Sequence, residues 1–293
     1  MSAGLISVSN VEAAPESPAA PRLISEGLRR GAPDHAGIVT GRAPARAMLE
    51  TVIGDDDRQE VPDAGADPWR RICQLDLKGP RGDFIGTGWF AGPATVITAG
   101  HCVHYKALFR GWAEEIIVSP GRHGDTRPMA TATSHRFSVP QIWRDTKDKD
   151  FDIGCIHLDT ALGDQAGIFA FASLPDTELR NQRINVAGYP FDLGDGHVQF
   201  HHASSIGAMT PRRIFYEADT VRGQSGAPVF MVDAPGAEPV VVAVHAYGTP
   251  GTPAELNLVA NSAPRLRPEM FDLISRWVAE DNARLGLDDA CGG

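Results

Sequence analysis

No stretch of the 293 residues is long and apolar enough to cross a bilayer. The longest apolar run, Val240 to Ala246, is strand-length, whereas a spanning helix needs about 20 such residues. Cysteine is scarce as well: the four thiols at positions 73, 102, 155 and 291 form no C-x-x-C pair and no zinc spacing. A basic excess is also missing. Lys and Arg number 27 against 37 Asp and Glu, a formal charge of −10 without a basic stripe, which argues against nucleic acid as a partner. Met1 to Arg30 lacks the apolar core, about 7 to 15 residues, that an export signal carries.

Three short runs carry chemistry. Ser225 sits in Gly223-Gln224-Ser225-Gly226-Ala227-Pro228, His101 in Thr98-Ala99-Gly100-His101-Cys102, and Asp152 in Asp152-Ile153-Gly154-Cys155-Ile156. A serine hydroxyl is almost fully protonated at neutral pH, so it attacks a carbonyl usefully only when an imidazole takes its proton and a carboxylate orients that imidazole. These residues are therefore the candidates for nucleophile, base and orienting acid. Each run is weak by itself, and their weight comes from occurring together in this order. Asp150 competes with Asp152 within Asp148-Lys149-Asp150-Phe151-Asp152, but Asp152 directly precedes the strand-like Ile153 to Ile156, while Asp148 and Asp150 read as a solvated loop. An α/β-hydrolase is excluded by order, since there the serine precedes the acid and the histidine, whereas here it follows both.

The secondary-structure signal is largely β. Cys73, Leu75 and Leu77 alternate with Gln74, Asp76 and Lys78; turns at Gly79-Pro80-Arg81-Gly82 and Ala91-Gly92-Pro93 bracket a strand over Phe84 to Phe90; Thr95 to Thr98 delivers His101 at a strand end. Short strands about ten residues apart predict a barrel or sandwich. Only the carboxyl end reads as a clear helix: Pro268 suits a first turn, and Met270, Phe271, Ile274, Trp277 and Val278 recur at helical spacing.

The order His101, Asp152, Ser225 and the three local motifs resemble those of chymotrypsin-like serine proteases. The likeness narrows to bacterial glutamyl endopeptidases. Val52-Ile53-Gly54-Asp55-Asp56-Asp57-Arg58 resembles their mature amino terminus, and Gly86-Thr87-Gly88-Trp89, Gly188-Tyr189-Pro190, Asp219-Thr220 and Val244-His245-Ala246 are similar to their runs. The resemblance spans roughly residues 52 to 280.

It implies an all-β, chymotrypsin-like double β-barrel with a C-terminal α-helix: residues 1–51 a leader or propeptide, disordered in expectation; 52–165 a first barrel with His101 and Asp152; 166–293 a second barrel with Ser225 and His245 plus the helix. Cleavage after Glu50 would fall within two residues of Val52, so a self-processed zymogen is expected. The implied activity is a secreted or periplasmic serine endopeptidase, monomeric, acting on polypeptides without a cofactor or metal; a protein inhibitor as partner is left open. The backbone N–H groups of Gly223 and Ser225 would form the oxyanion hole. Gln224 departs from chymotrypsin and trypsin, which carry an aspartate before the serine and bind the new amino terminus with it. Relatives often bridge the cysteine after the histidine to one preceding Thr-Gly-Trp. That place is Gly86 here, so the bridge cannot form, and Cys73 and Cys155 read as buried small hydrophobes.

Specificity divides two readings. Asp219 stands six residues before Ser225, where trypsin-like enzymes hold a carboxylate for Arg or Lys. His245 lies where glutamyl endopeptidases bind a glutamate side chain, with Thr220 adding a hydroxyl. A non-catalytic binding module on the same fold is the remaining alternative. His197, His201 and His202 fit no zinc motif and read as an exposed strand.

Overall fold

The computed structural model describes residues 5–10, 51–232, 236–249 and 252–287. The expected processing point after Glu50 and Cys291 lie outside them. The described residues form two curled sheets, almost wholly antiparallel, and a terminal helix, which is the expected all-β double-barrel class.

In chain order the strands are β1 (Ser7–Ser9), β2 (Gln59–Glu60), β3 (Ile72–Gly79), β4 (Gly82–Gly92), β5 (Thr95–Thr98), β6 (His104–Tyr105), β7 (Gly111–Trp112), β8 (Glu115–Pro120), β9 (Ala132–Ser134), β10 (Arg136–Pro140), β11 (Gly154–His157), β12 (Ala170–Phe171), β13 (Arg183–Gly188), β14 (Phe200–Met209), β15 (Arg213–Tyr216), β16 (Pro228–Met231), β17 (Val240–Val244) and β18 (Asn261–Pro264). The first sheet runs β1-β10-β11-β5-β4-β3-β8-β9 and the second β12-β17-β16-β13-β14-β15-β18, with β2 on β14. Strands β6 and β7 form a separate small hairpin.

Apolar alternation shapes the first sheet as expected, with Cys73, Leu75 and Leu77 buried. The polar face of β3 is covered too. Gln74 is fully buried, bonded to Asp76 and Arg122, because neighbouring loops close over that side. Cys73 and Cys155 are buried free thiols, and burial pushes both well above the usual thiol range.

Two placements differ from expectation. Residues 5–10, inside the segment expected to be disordered, form an edge strand of the first sheet: Ser7 to Ser9 pair with Pro140 to Ser138, and the Asn10 side chain bonds the backbone of both His135 and Phe137. A strand edge presents unpaired N–H and C=O groups, and this segment satisfies them. The C-terminal helix, Pro268–Leu285, returns to the first sheet, although its sequence follows the second. Met270, Leu273, Ile274 and Trp277 join the apolar core of that sheet. Asp281 accepts hydrogen bonds from Thr95 and Arg284 and pairs with His157, while the Trp277 indole donates to Ser7.

Candidate active site

Strand register brings His101 to Asp152. Thr98, the last residue of β5, pairs with Gly154, the first of β11, so the turn leaving β5 meets the chain entering β11. A Cβ at Gly154 would lie 2.7 Å from Val103 Cγ2 and 3.1 Å from the Ala99 carbonyl oxygen, so only glycine permits this approach. The two Asp152 oxygens divide their work: Oδ1 accepts the His101 backbone N–H at 2.8 Å, and Oδ2 stands 2.8 Å from His101 Nδ1. Asp152 has no exposed surface and His101 only 3%. Burial by itself would lower the imidazole pKa, but the charge and hydrogen bond of Asp152, with Cys102 beside it, hold it well above its ordinary value. Asp150 stays apart, half-buried near Arg212, and burial together with Asp148 raises its carboxyl.

A second register places Ser225 and His245. Pro228 of β16 pairs with Val244 of β17, so the residues just before β16 and just after β17 are neighbours. The Gly226 N–H donates to the His245 carbonyl at 2.7 Å and the His245 N–H to the Ala227 carbonyl at 2.9 Å. Thr87 of β4 fastens this loop to the first sheet. Its N–H donates to the Ser225 carbonyl at 2.9 Å, its hydroxyl donates to the Gly223 carbonyl at 2.8 Å, and the same oxygen accepts the Tyr189 N–H. The Ser225 carbonyl oxygen also lies 3.7 Å from Cys102 Sγ, so the serine run abuts the residue after His101.

Glycine is required twice in this loop. Gly223 has φ +106° and a Cβ there would sit 2.3 Å from the Tyr189 carbonyl oxygen; Gly226 has φ +90° and its Cβ would sit 2.1 Å from that of Thr87. The addition at Gly226 forces the Ser225 loop away from the first sheet, and that at Gly223 forces it away from the Tyr189 turn after β13.

The specificity candidates have separate surroundings. His245 is fully buried, its Nδ1 2.6 Å from the Tyr216 hydroxyl, which fixes the ring. Thr220 is also fully buried, and its hydroxyl meets no hydrogen-bond partner among the described residues. Asp219 lies only 1% exposed, with both oxygens engaged: Oδ1 accepts the Ile53 N–H at 2.7 Å and Oδ2 the Asp57 N–H at 2.9 Å. The expected mature amino-terminal segment is therefore strapped across the second sheet. Asn261 accepts the Thr51 N–H and donates to its carbonyl, and Arg58 pairs with both Asp56 and Asp192.

The three histidines do not converge. His197 precedes β14, His201 packs against the Trp69 ring at 4.9 Å, and His202 on the opposite face accepts the Asp219 N–H. All three are half-buried rather than exposed, because β2 and the Trp69 turn cover this end of β14.

Sequence reasoning missed Thr87, Tyr216 and Tyr247. The Tyr247 hydroxyl donates to Asp152 Oδ2. Only the placement of Tyr247 two residues after His245 hinted at it.

Two curled sheets with a buried His–Asp pair facing a glycine-bounded serine loop define a serine peptidase of the chymotrypsin type. Comparison with known proteins agrees. The model of the trypsin-like peptidase domain matches residues 86–237. A glutamyl endopeptidase of Bacillus licheniformis is 33% identical over 243 residues, 80% of this chain and 72% of that protein. The solved structure of a Glu endopeptidase in complex with MPD has a TM-score of 0.68 at 26% identity, covering 78% of this chain and 99% of that one. Protease Anisep from Arthrobacter nicotinovorans, at 16% identity and TM-score 0.60 over 76% and 99% of the two chains, shares the fold. The chain belongs to the trypsin-like peptidase family and is a serine protease related to glutamyl endopeptidases.

Proposed function

We propose that this protease cleaves after glutamate, using Ser225, His101 and Asp152 as its triad. Ser225 Oγ attacks the peptide carbonyl carbon while His101 takes the hydroxyl proton. The backbone N–H groups of Gly223 and Ser225 receive the developing oxyanion, a contribution of roughly 3 to 4 kcal/mol per donor in comparable sites. Collapse transfers the proton from His101 to the leaving amine and leaves an acyl-enzyme, which water hydrolyses by the same route. Asp152 holds the imidazole in the tautomer with its proton on Nδ1 and stabilises the imidazolium formed in each step.

The observation that carries the glutamate preference is the engagement of Asp219. Its carboxylate already accepts two backbone N–H groups of the 53–57 segment and is shut off from solvent, so it offers no counter-charge to Arg or Lys. The fully buried His245, oriented by Tyr216, and the Thr220 hydroxyl, without a partner among the described residues, then supply donors for a carboxylate. The reading includes processing before Val52. Thr51 already lies against Thr220 and Asn261, so a new ammonium at Val52 would stand next to the pocket and favour an anionic side chain. Action outside the cell is part of the same reading and rests on the likeness to glutamyl endopeptidases.

Peptides that differ only in the residue before the scissile bond (Glu, Asp, Arg, Lys, Phe) test it, with Ser225→Ala as control. Preference for Glu that disappears in His245→Ala supports the proposal. Preference for Arg or Lys that disappears in Asp219→Ala overturns it. Silence toward every peptide, in protein trimmed to Val52, would make the chain a binding module.

A further inference from the structure

The Asp152 carboxylate is fully buried and takes three donors: the His101 backbone N–H on Oδ1, and both His101 Nδ1 and the Tyr247 hydroxyl on Oδ2. The third comes from the opposite sheet. Tyr247 follows β17, which belongs with Ser225 and His245, whereas His101 and Asp152 belong to the first sheet.

Tyr247 is itself only 2% exposed, and its backbone exchanges hydrogen bonds with Ser262, so the ring is held from both ends. The Lys149 ammonium and the Arg213 guanidinium each lie 5.2 Å from the ring centroid. Burial, followed by the Asp152 charge, raises the phenol well above its ordinary pKa, so the hydroxyl keeps its proton and acts as a donor.

We propose that Tyr247 is a positioning residue for the peptidase reaction, its hydroxyl locking the Asp152 carboxylate against His101 and sharing the charge on Oδ2. The inference rests on the triad assignment above. An Oδ2 accepting two donors divides its negative charge between them. Removing the phenol hydroxyl gives the whole of that oxygen to His101 Nδ1, strengthens the imidazolium and frees the carboxylate to rotate. The titration of His101 then depends on Asp152 and Tyr247, with Cys102 at its side and Lys147, Lys149 and Arg213 as the cations around the pair.

Tyr247→Phe removes the hydroxyl and keeps the ring. The acid limb of kcat/KM moves to higher pH than in the parent, by about half a unit or more. Turnover falls about tenfold with KM little changed, because the lost contact lies behind the imidazole and not against substrate. Fluorotyrosine placed at 247, a stronger donor, moves the limb the opposite way. Nuclear magnetic resonance titration of His101 in a Ser225→Ala background reads the same shifts without turnover, and Asp152→Asn separately tests the triad. Shifts in both titrations together with an inactive Asp152→Asn protein carry the proposal, whereas a fully active Asp152→Asn protein overturns the triad assignment and this proposal with it. A folded Tyr247→Phe protein with parental kcat and an unmoved His101 titration overturns it. Should Tyr247→Phe fail to fold, an unmoved limb in the fluorotyrosine protein overturns it equally.

Discussion

Asp219→Asn distinguishes a strap from a specificity pocket. In the parent, Oδ1 and Oδ2 accept the Ile53 and Asp57 N–H groups at 2.7 and 2.9 Å, out of contact with water. Asparagine has a single acceptor oxygen, so one N–H keeps a bond without charge assistance and the other faces an amide NH2. A hydrogen bond to a buried charge contributes roughly 1.5 to 3 kcal/mol and a neutral one about 1, so replacing two of the first kind by one of the second loses about 2 to 5 kcal/mol. In a domain of this size each kcal/mol moves Tm by about 2 to 4 °C, which gives a drop of about 4 to 20 °C. The assay is calorimetric unfolding in a Ser225→Ala background, which prevents self-digestion, paired with hydrogen exchange at Ile53 and Asp57. Both amides should exchange faster while the rest of the second sheet holds. An unchanged Tm with unchanged exchange would refute the reasoning, and so would loss of Arg or Lys cleavage as the main effect in the active protein.

Two further outcomes follow from geometry. A Cβ at residue 86 would lie 3.2 Å from Cys102 Sγ, so Gly86→Cys should form a disulfide on oxidation. It closes a loop of roughly 17 residues, for about 3 kcal/mol of stabilisation; thiol titration under denaturing conditions would show two reactive thiols fewer than in the reduced protein, and full reactivity after oxidation would refute it. At the far edge of the same sheet, Asn10→Ala removes the bonds to His135 and Phe137, at a cost of about 1 to 2 kcal/mol. Faster hydrogen exchange of the Phe137 amide is the expected result, and exchange at the parental rate would show that residues 5–10 do not secure this edge.

Local sequence determined much of this protein. Alternation set the strand faces, Gly-Pro clusters set the turns around β4, and the 268–285 stripe set the helix, because each is a property of neighbouring residues. His101, Asp152 and Ser225 were legible as candidates because three individually weak runs occur together in that order, although no spacing along the chain reveals that Thr98 faces Gly154 or that Pro228 faces Val244. Those registers decide who meets whom. Tertiary structure alone decided that Asp219 holds the 53–57 segment, since an aspartate six residues before a serine reads the same whether it meets a substrate or two backbone amides. It alone brought Ser7 to Ser9 to the edge of the first sheet and returned the helix to that sheet, because a Ser-Val-Ser stretch is too short to carry a period and an amphipathic stripe does not name its partner. The role of Tyr247 was decided there for the same reason: a phenol becomes a donor to Asp152 only when the second sheet closes on the first.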